Sequence, residues 1–145
     1  MRSRTQSSVL AGAFLAALKE VSEGIDEAYA KTAEINAYLR RELTARDAMI
    51  LSPDDALPYV LNVSFKGFES ETMLHCLEIY DIYVSTVSAC SSKAKKVSYV
   101  LLESGVDRKV AANAVRLSFS RYNTMEEAEE FIKCVDEIYD QFLVK

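Results

Sequence analysis

The chain has 145 residues, half of them apolar and 27% charged, with only four Gly and two Pro. That is enough to bury one hydrophobic core, and it excludes a disordered or low-complexity chain. A net charge of -5 excludes a general nucleic-acid binder, which needs a dense basic face to neutralise phosphates. No run approaches the ~18 consecutive apolar residues of a membrane span. The three cysteines, Cys76, Cys90 and Cys134, are odd in number and widely spaced, which fits a reducing cytoplasm rather than a disulfide framework. With His75 the only histidine and no C-x-x-C pair, no metal site is expected.

The N-terminus mimics a secretory signal, with two arginines before an apolar stretch. However, Leu10, Phe14, Ala17, Val21, Ile25 and Ala28 recur at three- and four-residue steps well into charged sequence, which predicts an amphipathic helix. Gly24 marks a bend or break, and Ile35, Leu39 and Leu43 predict a second helical piece. Ala48–Leu51 reads as a short strand before a turn at Ser52–Asp55. Tyr59, Leu61, Val63 and Phe65 alternate with Val60, Asn62 and Ser64, the pattern of a half-buried strand. Ser70 is expected to cap a helix with Met73, Leu74 and Leu77 on its apolar face, and Ile82–Val84 to form a short strand. Val97–Leu102 reads as helix, with Gly105 as its left-handed stop.

In Ala114–Phe119, Val115, Leu117 and Phe119 face one way and Arg116 and Ser118 the other. Thr124 to Glu127 forms a capping box opening the last helix, whose expected core stripe is Phe131, Val135, Ile138 and Phe142. The fold class expected is α/β (α+β): a small, mainly antiparallel sheet covered by helices on one face, with a long N-terminal helix. All 145 residues are read as one domain, with a helical segment over 1–46 and a sheet-and-helix core over 47–145.

Two residues stand out as candidates for chemistry. Cys90 lies in Val84-Ser-Thr-Val-Ser-Ala-Cys-Ser-Ser92, a run with little to fill a core, and Lys93, Lys95 and Lys96 follow it closely. Nearby cations favour the thiolate, so a nucleophile is set against an ordinary loop cysteine beside a solvated charge run. Arg116 projects from the polar side of a strand, where its planar fork suits a carboxylate; a plain solvent-facing arginine is the alternative. Cys76 and Cys134 fall on helices and read as small buried hydrophobes. His75 reads as a packed or half-exposed structural residue and Arg121 as a structural or surface charge. Ser85 and Ser88 lack the His-Asp partner a serine nucleophile needs.

These residues, in this order and spacing, resemble the C-terminal part of the NifS/IscS-type cysteine desulfurases, pyridoxal-phosphate enzymes of the class V aminotransferases. Arg2-Ser-Arg-Thr5 is similar to the family's R-S-G-T, and Leu10-Ala-Gly-Ala-Phe14 to the helix that follows. Tyr59-Val-Leu-Asn-Val-Ser-Phe65, Leu74-His-Cys-Leu-Glu78 and Ile82-Tyr-Val-Ser85 are also similar to family segments. Ser88-Ala-Cys-Ser-Ser92, Ser98-Tyr-Val-Leu101 and Val115-Arg-Leu-Ser-Phe-Ser-Arg-Tyr-Asn-Thr124 carry the strongest likeness.

The resemblance implies the fold of the small C-terminal domain of fold-type I pyridoxal-phosphate enzymes. It also implies that Cys90 takes sulfur from L-cysteine as a persulfide, leaving L-alanine, and passes it to an acceptor protein for iron–sulfur clusters or tRNA thiolation. Arg116 would bind the substrate carboxylate, and Thr5 the cofactor phosphate of the other subunit of a homodimer. Arg4 and Val87 stand where the family has glycine, and Val97 where it has proline. The family's larger N-terminal region, with its cofactor lysine, has no counterpart here, and Lys19, Lys31 and Lys66 are in other contexts. The chain is therefore expected to be a fragment or truncated product that binds no pyridoxal phosphate and is inactive alone. Its expected partners are the absent domain, a sulfur acceptor and a second copy, the last through the bare apolar stripe of the first helix. Alternatives are a non-catalytic relay that accepts persulfide on Cys90, or a structural remnant.

Overall fold

The Ser7 hydroxyl accepts the Leu10 N–H and opens α1 (Ser8–Glu23). Gly24, at φ -123° and ψ 16°, separates it from α2 (Ile25–Ala45). The computed structural model describes residues 7–86 and 97–142. Further along come β1 (Met49–Ile50), β2 (Val60–Ser64), α3 (Ser70–Glu78) and β3 (Ser85–Thr86). They are followed by α4 (Tyr99–Glu103), α5 (Arg108–Ala112), β4 (Ala114–Ser118) and α6 (Met125–Phe142).

The strands form one sheet in the order β1-β2-β4-β3, with every neighbouring pair antiparallel. Alternation along β2 and β4 turns Leu61, Val63, Val115 and Leu117 inward. They meet Ile35, Leu39 and Leu43 of α2, Met73 and Leu77 of α3, and Val135 and Ile138 of α6 in the main core. This is the expected α/β arrangement of a small antiparallel sheet under helices. One feature goes beyond it. Leu51, Leu101, Ala111 and Ala114 form a second, smaller cluster. Ala114 alternates with Val115, so α4 and α5 cover one end of the opposite face, beside the polar row of Asn62, Ser64, Arg116 and Ser118.

Half of the first helical segment stays outside the core. No residue of α1 is buried, and its stripe from Leu10 to Val21 is exposed. On α2 the stripe meets the sheet, and Ile35, Leu39 and Leu43 disappear into it. Three local devices match their sequence signals. Gly24 parts the two helices, Gly105 turns at φ +82° after α4, and the capping box of α6 closes reciprocally. There the Glu127 N–H donates to Thr124 Oγ1 at 3.3 Å, and the Thr124 N–H donates to Glu127 Oε2 at 3.1 Å.

Other expectations need correction. Ser70 does not cap α3: it is the first helical residue, is buried, and donates its hydroxyl to the Ala112 carbonyl of α5 at 3.3 Å. The strand expected at Ile82–Val84 forms instead at Ser85–Thr86, where pairing with β4 is available. Phe142, the last residue of α6, is exposed, and Ala128, Ile132 and Cys134 complete the buried stripe of the helix. His75 is exposed and pairs through Nδ1 with Glu78 Oε2 at 2.8 Å. Helix α5 was not expected; Asp107 caps it by accepting the Lys109 and Val110 N–H groups.

Candidate functional site

β4 lies between β2 and β3. On its outward face Arg116 is exposed, opposite Asn62 on β2 and opposite Ser85 on β3. Among the described residues its guanidinium has no hydrogen-bond or ion-pair partner. A planar cation without a partner among the described residues, on a solvent-facing sheet, suits a carboxylate that arrives from outside.

The neighbour on β2 is held from behind. The Asn62 N–H donates to Ser52 Oγ at 2.8 Å, and Asn62 Nδ2 lies 3.4 Å from the same oxygen. The loop carrying Ser52 is fastened by Arg40, which donates to the carbonyls of Ser52 at 3.0 Å and Pro53 at 2.8 Å. A further bond, from Arg40 Nε to Asn36 Oδ1 at 2.7 Å, fixes that guanidinium on α2.

Of the three expected site residues, only Arg116 falls among the described ones; Cys90 and Thr5 lie outside them. Cys76 and Cys134 are buried, and burial pushes both thiols up, the opposite of what a nucleophile needs. Arg121 serves the fold through its backbone, its carbonyl accepting from Lys31 Nζ at 3.2 Å. Sequence reading missed Asn62 and Ser85 as neighbours of Arg116. The alternating polar positions of 60–64 were the only signal for the first, and cross-strand register was needed for both.

Two concavities lie elsewhere. A cleft of about 400 Å³ runs between Tyr80–Val84 and the start of α6, on the core side of the sheet. A shallower depression of about 630 Å³ lies by Lys66, Gly67 and Lys109. Neither includes Arg116. Pyridoxal phosphate held as a Schiff base needs an enclosed lysine. Among the described residues Lys66 is exposed and paired with Asp47 at 2.9 Å, Lys133 pairs with Glu130 at 3.1 Å, and Lys31 is engaged by Arg121. Lys19 and Lys109 are exposed. The described residues do not fit that group. Among them, too, no three His, Cys, Asp or Glu side chains gather as metal ligands, and no helix is long and apolar enough to cross a membrane.

Residues 2–131 match the family model described as Aminotransferase class-V, a family of pyridoxal-phosphate-dependent enzymes. A NifS/IcsS protein homolog of Lactobacillus delbrueckii subsp. bulgaricus is 40% identical over 125 residues, 86% of this chain and 32% of that protein. The mitochondrial cysteine desulfurase of Saccharomyces cerevisiae is 32% identical over 94% of this chain and 28% of that protein. Among solved structures, a NifS-like protein superposes with a TM-score of 0.76 at 33% identity, covering 87% of this chain and 32% of that one. The chain thus spans about a third of the length of these relatives. The match over most of its residues, in sequence and in fold, means that the chain belongs to the class-V aminotransferase family and that its homologues are NifS/IscS cysteine desulfurases.

Proposed function

We propose that this chain supplies the small-domain part of a cysteine desulfurase site, converting L-cysteine to L-alanine when joined to a cofactor-bearing partner domain. The observation that carries this reading is Arg116: without a partner among the described residues, outward-facing, and paired with β3, the strand that precedes Cys90 in sequence. Arg116 receives the substrate carboxylate and Cys90 accepts its sulfur as a persulfide. A sulfur-acceptor protein, serving iron–sulfur clusters or tRNA thiolation, then takes the sulfur from Cys90. Thr5 contributes a contact to the cofactor phosphate. The chain alone is inactive, because no described lysine stands in an enclosed pocket. Its bare α1 stripe pairs with a second copy in isolation.

Sulfide release from L-cysteine tests the reading in two settings. The purified chain with added pyridoxal phosphate is expected to release none. Residues 2–131 grafted in place of the matching third of the Lactobacillus relative are expected to restore release. In that chimera Cys90→Ser abolishes turnover, and Arg116→Ala raises KM for L-cysteine at least tenfold, the loss of one charge-assisted pair. Turnover by the chain alone, or a chimera indifferent to Cys90, refutes the proposal.

A further inference from the structure

The antiparallel register places three polar side chains in one row across three strands. Asn62 of β2 is the partner of Arg116 on one side, and Ser85 of β3 is its partner on the other. Directly opposed residues share a sheet face, with Cβ atoms ~4.5–5.5 Å apart. The row therefore spans the width of an amino-acid carboxylate with its hydrogen-bond shell.

We propose that Asn62, Arg116 and Ser85 form a single carboxylate cradle, in which Asn62 and Ser85 are binding residues alongside the arginine. This deepens the reading of Arg116 given above and rests on it. A carboxylate gripped by both arms of a guanidinium keeps one free lone pair on each oxygen. Those lone pairs point sideways, toward the adjacent strands. On one side stands the Asn62 amide, steadied against Ser52 Oγ, with a second N–H left to donate. On the other stands the Ser85 hydroxyl, half-exposed on the same face. The next residues on that face, Ser64 and Ser118, are uncharged, so no carboxylate within the row competes with the ligand for Arg116. Ser85 also opens the strand that leads to Cys90.

The test uses the chain itself and needs no cofactor. L-Alanine, which has the backbone groups of both substrate and product, is titrated while the Asn62 side-chain amide and the Arg116 Nε–H are followed by NMR. L-Alaninol, which lacks the carboxylate, is the control. Saturable shifts of both signals with L-alanine, and none with L-alaninol, are expected. Arg116→Ala should abolish binding. Asn62→Ala and Ser85→Ala should each weaken it about five- to tenfold, the loss of one bond to a charged group. Asn62→Asp, nearly the same in shape but negative, should abolish it. The backbone amide spectrum of each variant reports that the fold persists. Binding that needs Arg116 but changes less than twofold in Asn62→Ala and Ser85→Ala overturns the cradle and leaves the arginine reading standing. Binding indifferent to Arg116→Ala, or no saturable shift at all, overturns both.

Discussion

Replacing Asp136 by asparagine is expected to cost about 1 kcal/mol at neutral pH and nothing in strong acid. Asp136 on α6 takes two bonds from Arg46 at the end of α2: Nε to Oδ1 at 2.5 Å and Nη2 to Oδ2 at 2.7 Å. Fork-to-fork pairs of this kind, when dry, contribute about 1.5–3 kcal/mol. Here the Asp136 side chain is 49% exposed and Arg46 22%, so solvent screening reduces the figure to about 1 kcal/mol. Arg46 also keeps Glu42 as a partner at 3.0 Å, so the variant leaves no orphaned charge.

The pH dependence has a definite sign. The Arg46 guanidinium holds the Asp136 carboxyl below its ordinary value. A depressed carboxyl contributes fully above its unfolded value, about pH 3.9, and the contribution fades as pH falls through the folded value. Urea unfolding of both proteins at pH 7 should differ by about 1 kcal/mol, equivalent to a melting shift of about 3 °C. The difference should vanish once the acid has protonated the folded carboxyl. A penalty of equal size at both pH values, or none at pH 7, would refute an electrostatic clasp between the two helices.

Two further outcomes are expected. The chain should sediment as a dimer or higher species at high concentration. Phe14→Asp, which places a charge on the exposed stripe of α1, should shift it to monomer, raising the dissociation constant at least tenfold; a wild-type chain monomeric throughout removes α1 as a self-association surface. Gly105→Ala should lower stability by about 1 kcal/mol in urea. The backbone there sits at φ +82° while an added Cβ meets nothing within 4 Å, so the cost is conformational alone. A neutral effect would mean that the turn after α4 relaxes freely.

Much of the secondary structure was legible because its causes are local. Inward Leu61 and Val63 on β2, and Val115 and Leu117 on β4, follow from alternation, and the opening of α6 follows from the reciprocal bonds of Thr124 and Glu127. The end of α4 follows from the one residue type that takes a positive φ freely. Even α5 had a local signal in Asp107, ahead of a helix-forming run, and was missed because five residues are too few to show a period. Arg116 was legible as a polar-face residue for the same reason as the strands.

What the tertiary structure decided are the choices between partners distant in sequence. Ser70 was free to cap its helix, but the closeness of α5 drew its hydroxyl to Ala112. Residues 82–84 have the side chains of a strand, yet a strand needs a neighbour, and β4 offers one at Ser85 and Thr86. The apolar stripe runs with one period through α1 and α2, and only the position of the sheet determines that Leu39 is buried while Phe14 is exposed. The site follows the same division. The sequence by itself determined that Arg116 faces away from the core, because alternation is a property of one strand. That Asn62 and Ser85 stand beside it was decided by register, which hydrogen bonds between three separate segments establish and no single segment contains.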